Sequence, residues 1–241
     1  MRTEESAGDV LAAGAEAMIE AAFRTGEYAD AEAMLRAARV RAGAGGDRAT
    51  EAAAMDRLGW LMHFQALDRG LSAAGADAEE ALFQQALAIR RDIGDPAGVA
   101  GSLFGIGLVH QVLRRDWDTA MPYYWEALAL ADEYGDEITR SEVHRHVGFF
   151  YLVKDVQPDK ALYHLRISLQ LREQHGDPRW IPSGTLAMGQ AELAAGEHTE
   201  AVNHLREAVR QAREAGLRRQ RIEQAEESLC RAESSELPNR R

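Results

Sequence analysis

The sequence holds one cysteine, Cys230, and only two lysines, Lys154 and Lys160, in 241 residues. A lone thiol forms no intramolecular disulfide and no multi-thiolate metal site. No apolar run approaches the roughly 18 residues that a bilayer-spanning helix needs. Glu4, Glu5 and Asp9 stand where a signal peptide requires a basic start and an apolar core. Basic residues are also in deficit, 28 Lys and Arg against 39 Asp and Glu, for a formal net charge of −11. Such a field repels polyanions, which excludes a nucleic-acid binder held by phosphate contacts and a protein docked on anionic membranes. What is present is 46% hydrophobic and 28% charged residues, the composition of a globular chain. The expectation is a soluble, cytoplasmic protein.

An internal repeat organises the chain. Gly-Asp pairs recur at Gly46-Asp47, Gly94-Asp95, Gly135-Asp136 and Gly176-Asp177, and Gly216 continues the series at intervals of 48, 41, 41 and 40 residues. Each glycine follows a helical stretch, where Gly is the expected stop. Eight residues before it stand Ala38, Ala86, Ala127, Ser168 and Ala208, all small. Three residues earlier stand Leu35, Phe83, Tyr124, Leu165 and Leu205, all large. Twelve residues after each Asp comes a second glycine column, Gly59, Gly107, Gly148 and Gly189, preceded by Leu58, Ile106, Val147 and Met188. Spacings of three and four put such residues on one helix face. A small residue in one helix then admits the large residue of its partner. Each unit is therefore predicted as two antiparallel helices of about a dozen residues joined by a short turn. The first unit carries Ile19 where later units carry Gly, as a divergent end repeat, and Asp68–Gly75 forms a lengthened Gly/Ala turn.

On these residues the chain resembles the tetratricopeptide repeat (TPR) family. The resemblance is carried by Leu58-Gly59 and Ile106-Gly107 in first helices and by Ala120, Tyr124 and Ala127 in a second helix. A period near 41 exceeds the family's usual length of about 34 and is similar to a longer bacterial variant. The resemblance implies an all-α superhelix of five hairpins in one domain. Its units would be about 8–47, 48–95, 96–136, 137–177 and 178–217, with a capping helix over 218–233 and a polar tail over 234–241. Ile222, Ala225 and Leu229 form the stripe by which the cap covers the last apolar face. Pro96 and Pro178 are expected to open helices, where proline is tolerated.

In a stack of helical hairpins the first helices line the concave face. Positions just after the second glycine column, and one turn to either side, select Trp60, His63, Phe64, Phe104, Leu108, Gln111, Arg145, Phe149 and Gln190, with Leu152 and Leu193 beside them. An apolar face with a few placed polar groups suits a ligand or an amphipathic segment. The leading expectation is a protein-interaction scaffold or regulatory binding module whose partner is a protein or peptide segment, Arg145 anchoring an acidic group. The alternative is a small-molecule-binding or catalytic protein with an acid–base site at Arg145, His63 or Glu142. A third is that the aromatic face closes a homodimer.

Other chemistries lack their residues. The carboxylate clamp of similar co-chaperones needs lysines in the groove, and Lys154 and Lys160 fall on a turn and an outer helix. Backbone-reading asparagines are missing, since Asn203 falls on an outer helix and Asn239 in the tail. His144 and His146 are two apart and diverge on a helix, so they do not grip one ion. His164 and His204 are expected at the outer surface, and His110 and Tyr151 at equivalent interfaces between helices. Gly101–Gly107 lacks the lysine of a phosphate loop. No metal, no cofactor and no assigned catalytic residue are expected.

Overall fold

The protein is described by a computed structural model, which places residues 5–70 and 73–235. Among these residues there is no strand. The helices are α1 (Ala7–Glu20), α2 (Ala29–Gly45), α3 (Arg48–Asp68), α4 (Ala76–Ile93), α5 (Pro96–Leu108), α6 (Trp117–Tyr134), α7 (Glu137–Val153), α8 (Pro158–His175), α9 (Ile181–Ala195), α10 (His198–Glu214) and α11 (Arg219–Ser235). They pack in consecutive pairs, α1 on α2 through α9 on α10, so the fold is an all-α assembly of helical hairpins. The chain divides into two compact units, Met1–Gly135 and Asp136–Arg241. In the first, α2 packs on α3 and α4 on α5; in the second, α8 packs on α9 and α10 on α11.

Each hairpin is closed by one glycine of its first helix against one large residue of its second. A β-carbon at Gly59 would lie 2.6 Å from Phe83, at Gly107 2.6 Å from Tyr124, and at Gly148 and Gly189 2.7 Å from Leu165 and Leu205. The first hairpin does the same with Gly14, whose β-carbon would lie 3.0 Å from Leu35. Ile19 is therefore not the counterpart of the glycine column. Residues Ala21–Thr25 form a π turn that continues α1, and Leu35 stands 21 residues after Gly14 where Tyr124 stands 17 after Gly107, so the longer spacing displaces the register counted along the chain. Phe83 is held from both sides, because Gly105 of α5 also abuts its ring.

The Gly-Asp pairs serve as stop and start. Gly46 and Gly94 end α2 and α4 with φ of 72° and 70°, a region costly for residues with a β-carbon. Asp47, Asp95 and Asp136 cap the next helix, accepting from the backbone N–H of Thr50, Gly98 and Thr139. Gly135 departs from its column: its backbone is extended, at φ −78° and ψ 153°, where the first unit ends. Pro96 opens α5 as expected, but Pro178 lies in a turn closed by the Trp180 N–H on the Asp177 carbonyl, and α9 begins only at Ile181. Second helices run to 17 or 18 residues rather than about a dozen.

The stretch Pro96–Leu113 is, by length and composition, apolar enough to cross a bilayer, contrary to the sequence expectation, but it is 61% buried inside the protein. Its glycines at 98, 101, 105 and 107 broke up the apolar run in the sequence while admitting neighbours to its surface. It is the core helix of the first unit. In the second unit α11 lays Ala225 and Ala232 against Val202, Leu205 and Val209, with Leu229 packed at the margin. Residues 236–241 of the expected tail, and 71–72 of the expected Gly/Ala turn, lie outside the described residues.

Candidate functional site

The nine residues selected from the sequence separate into core and margin. In the first unit Phe104 is 1% exposed, Leu108 2%, His63 2% and Phe64 6%, so these four belong to the interior rather than to an open face. Trp60 stays half-buried and stacks on Phe104, ring centroids 5.7 Å apart, and Phe104 stacks on Tyr124 at 5.5 Å. The Tyr124 hydroxyl donates to Gln111 Oε1 at 2.5 Å. The expected lining is thus a ladder of rings flanked by Trp60 at one end and by the Gln111 amide at the other. Its inner rungs are buried because the glycine columns bring the helices close enough to enclose them.

His63 is committed as well. Its Nδ1 lies 2.9 Å from Glu79 Oε1, both side chains enclosed. His164 and His204, placed at the outer surface from the sequence, are half-buried instead. His164 Nδ1 lies 2.9 Å from His144 Nδ1, and His204 Nδ1 lies 2.7 Å from Glu192 Oε2. His110 and Tyr151, at matching positions, each stack on a ring of the second helix, Tyr123 and His164 respectively.

Sequence reasoning named Glu142 but missed Asp56 and the two arginines that pair with these acids. In the first unit Arg90 of α4 pairs with Asp56 of α3, bonds the Gly98 carbonyl, and reaches Ser102 Oγ of α5 at 3.3 Å. Burial pushes the Asp56 carboxyl up to about 6, with Arg90 and the Ser102 hydroxyl opposing. In the second unit Arg172 of α8 pairs with Glu142 of α7, donates to Ser141 Oγ at 2.8 Å and to the Trp180 carbonyl at 2.9 Å, and reaches Ser183 of α9. Burial pulls its guanidinium down to about 10; Glu142 opposes that shift and Arg145 adds to it. A signal existed: four residues before the Gly-Asp glycine stand Ala42, Arg90, Ala131, Arg172 and Ala212, arginines in a column otherwise made of alanine.

Arg145 is the exception among these charges. Asp56 and Arg145 both stand three residues before their helix's glycine, at Gly59 and Gly148, so an arginine occupies the register that holds the pairing acid in the first unit. In the second unit that acid has moved one turn back, to Glu142, and already serves Arg172. Arg145 lies over the Phe149 ring, 4.7 Å to the centroid, and donates to His146 Nε2 at 3.2 Å. Its Nε is enclosed without an acceptor, and no described carboxylate pairs with it. His146 Nε2 in turn lies 3.9 Å from Glu142 Oε2. Phe149 is half-buried and packs with Leu152 on the cluster of Leu162, Leu165, Ala187 and Met188. Gln190, on α9 of the next hairpin, donates to Ser228 Oγ at 3.3 Å.

No family model and no curated protein matches the chain. Among solved structures it is similar to BtubC (BKLC) from P. vanneervenii, with a TM-score of 0.53 and 20% identity over 88% of this chain and 76% of that one. That likeness is one of fold. Of the metal-binding residue types, the described residues bring together no group of three. In the second unit the arrangement sets a half-buried guanidinium without an acid on an aromatic ring.

Proposed function

We propose that the chain is a protein-interaction module of the tetratricopeptide type, which seats a segment of another protein against α7 of its second unit. The observation that carries the reading is the pairing of Arg145 with Phe149. A cation fixed on a ring gives a charged anchor and apolar contact area in one place, the combination on which binding energy concentrates. The hairpin repeat supports the reading, because stacked hairpins present their first helices as a continuous surface within a unit. The rim residue Trp60 offers the first unit a second, independent contact. The module acts in the cytoplasm, consistent with its lone thiol and acidic balance.

Selection of random peptides on the full chain tests this. Enriched peptides should combine an acidic residue with an aromatic or aliphatic neighbour, and Phe149→Ala should weaken them about tenfold. Failure to enrich any peptide, or binding unmoved by both Phe149→Ala and Trp60→Ala, refutes the module.

A further inference from the structure

We infer that Arg145 and His146 form a seat for a single carboxylate, the side chain of an Asp or Glu in the bound segment. The inference rests on the interaction reading and deepens it by assigning the chemistry of the contact. Three observations carry it. Arg145 has no described acidic partner, and its Nε is enclosed with no acceptor. The guanidinium is nevertheless positioned, with Phe149 beneath it and His146 accepting one of its hydrogens. Its charge also acts on the buried Arg172, opposing that guanidinium's own charge. A cation that no internal ion pair uses, yet held in place on a ring, is suited to an external ligand.

Charge arithmetic selects the ligand class. Glu142 balances Arg172, which leaves one positive charge at Arg145. A carboxylate supplies one negative charge in a planar form that matches the guanidinium fork. A phosphate brings nearly two, into a chain of net charge −11 and beside Glu142, which stands near His146. His146 Nε2 accepts from Arg145 and so holds the fork in place.

The test follows the arginine side-chain N–H signals of the full chain by NMR, with Arg145 assigned through Arg145→Gln. The probes are N-acetylglutamate amide, N-acetylglutamine amide and inorganic phosphate, at pH 7.5 and fixed ionic strength. The glutamate probe should shift the Arg145 signal saturably, and the glutamine probe should not. Arg145→Lys, which keeps the charge and loses the fork, should weaken the glutamate probe about threefold or more. No saturable shift, an equal shift from glutamine, or tighter binding of phosphate overturns the seat. A selected peptide that binds Arg145→Gln as well as the parent chain would also overturn it while leaving the interaction reading intact. Saturation by glutamate with no peptide enriched would leave the seat and remove the reading.

Discussion

Two buried arginines hold two units by the same device, and the difference between them is instructive. Arg90 and Arg172 each rise from a second helix, four residues before its glycine, and each ties the first helix of its own hairpin to the first helix of the next. Each also bonds a backbone carbonyl at the entry to that next helix, Gly98 or Trp180. In the first unit the acid is Asp56, with Arg57 beside it on α3 acting on its carboxyl and Asp95 as a second carboxylate 3.7 Å from Arg90 Nε. In the second, Glu142 takes over the pairing from one turn earlier and an arginine stands in the vacated register. Repeat proteins keep the backbone and exchange the side chains. A charge that the packing no longer needs is where recognition can be added.

The largest effect should come from splitting a pair. Arg172→Met leaves Glu142 buried without its cation and should cost about 3–5 kcal/mol in denaturant unfolding. Arg90→Met should cost less at pH 5 than at pH 8, because Asp56 already favours its proton. If both substitutions cost the same at either pH, the two nodes are not different in the way described.

Next comes packing. Phe83 is a rigid ring held between Gly59 and Gly105, whereas Leu165 meets Gly148 with a branched aliphatic end. Gly105→Ala should destabilise by about 1–3 kcal/mol, and Gly148→Ala by less. Thermal unfolding of the two variants ranks them, and the reverse order would show that the leucine contact is the stiffer one.

The pH dependence follows from the direction of the Asp56 shift. Its carboxyl is raised above the unfolded value of 3.8 to about 6, so the folded chain binds the extra proton between those limits. The contribution of this group is thus greatest below about pH 4 and falls as pH rises to 6. Asp56→Asn should remove that slope from stability measured across the window, and a slope unchanged in the variant would assign it to other groups.

The smaller effects lie at single positions. Arg115 has φ of 56° at the turn between α5 and α6, where the α9–α10 turn uses Gly196 with φ of 84°. Arg115→Gly should therefore stabilise by about 1 kcal/mol, and a loss of stability would mean that the side chain matters more than the backbone. Arg145→Gln should change stability least, by about 0.5 kcal/mol or less, since it removes no internal ion pair. A large loss on equilibrium unfolding would make Arg145 a structural residue.

The repeat was legible because its signals are local. A helix stop and a cap need only Gly-Asp in order, and a close helix pair needs only a glycine facing a large residue at constant spacing. The first hairpin escaped because four more residues separate Gly14 from Leu35 than separate Gly107 from Tyr124, and Gly14 takes the place assigned to Ile19. The exposure of the selected residues was not legible: Trp60, Arg145, Phe149 and Gln190 remain at the margin, while His63, Phe64, Phe104 and Leu108 are interior. Periodicity tells which residues share a helix face, but not how closely the neighbouring helix covers it.

The sequence by itself determined the helical hairpins, the turns between most of them and the residue pairs that close each one, because these depend on backbone preferences and spacings of a few residues. The tertiary structure alone decided which aromatic rings are enclosed and where Pro96–Leu113 belongs. It also decided which charge finds a partner. Pairing depends on distances between helices some thirty or more positions apart in the chain, and Arg172 with Glu142, but not Arg145, meets that condition.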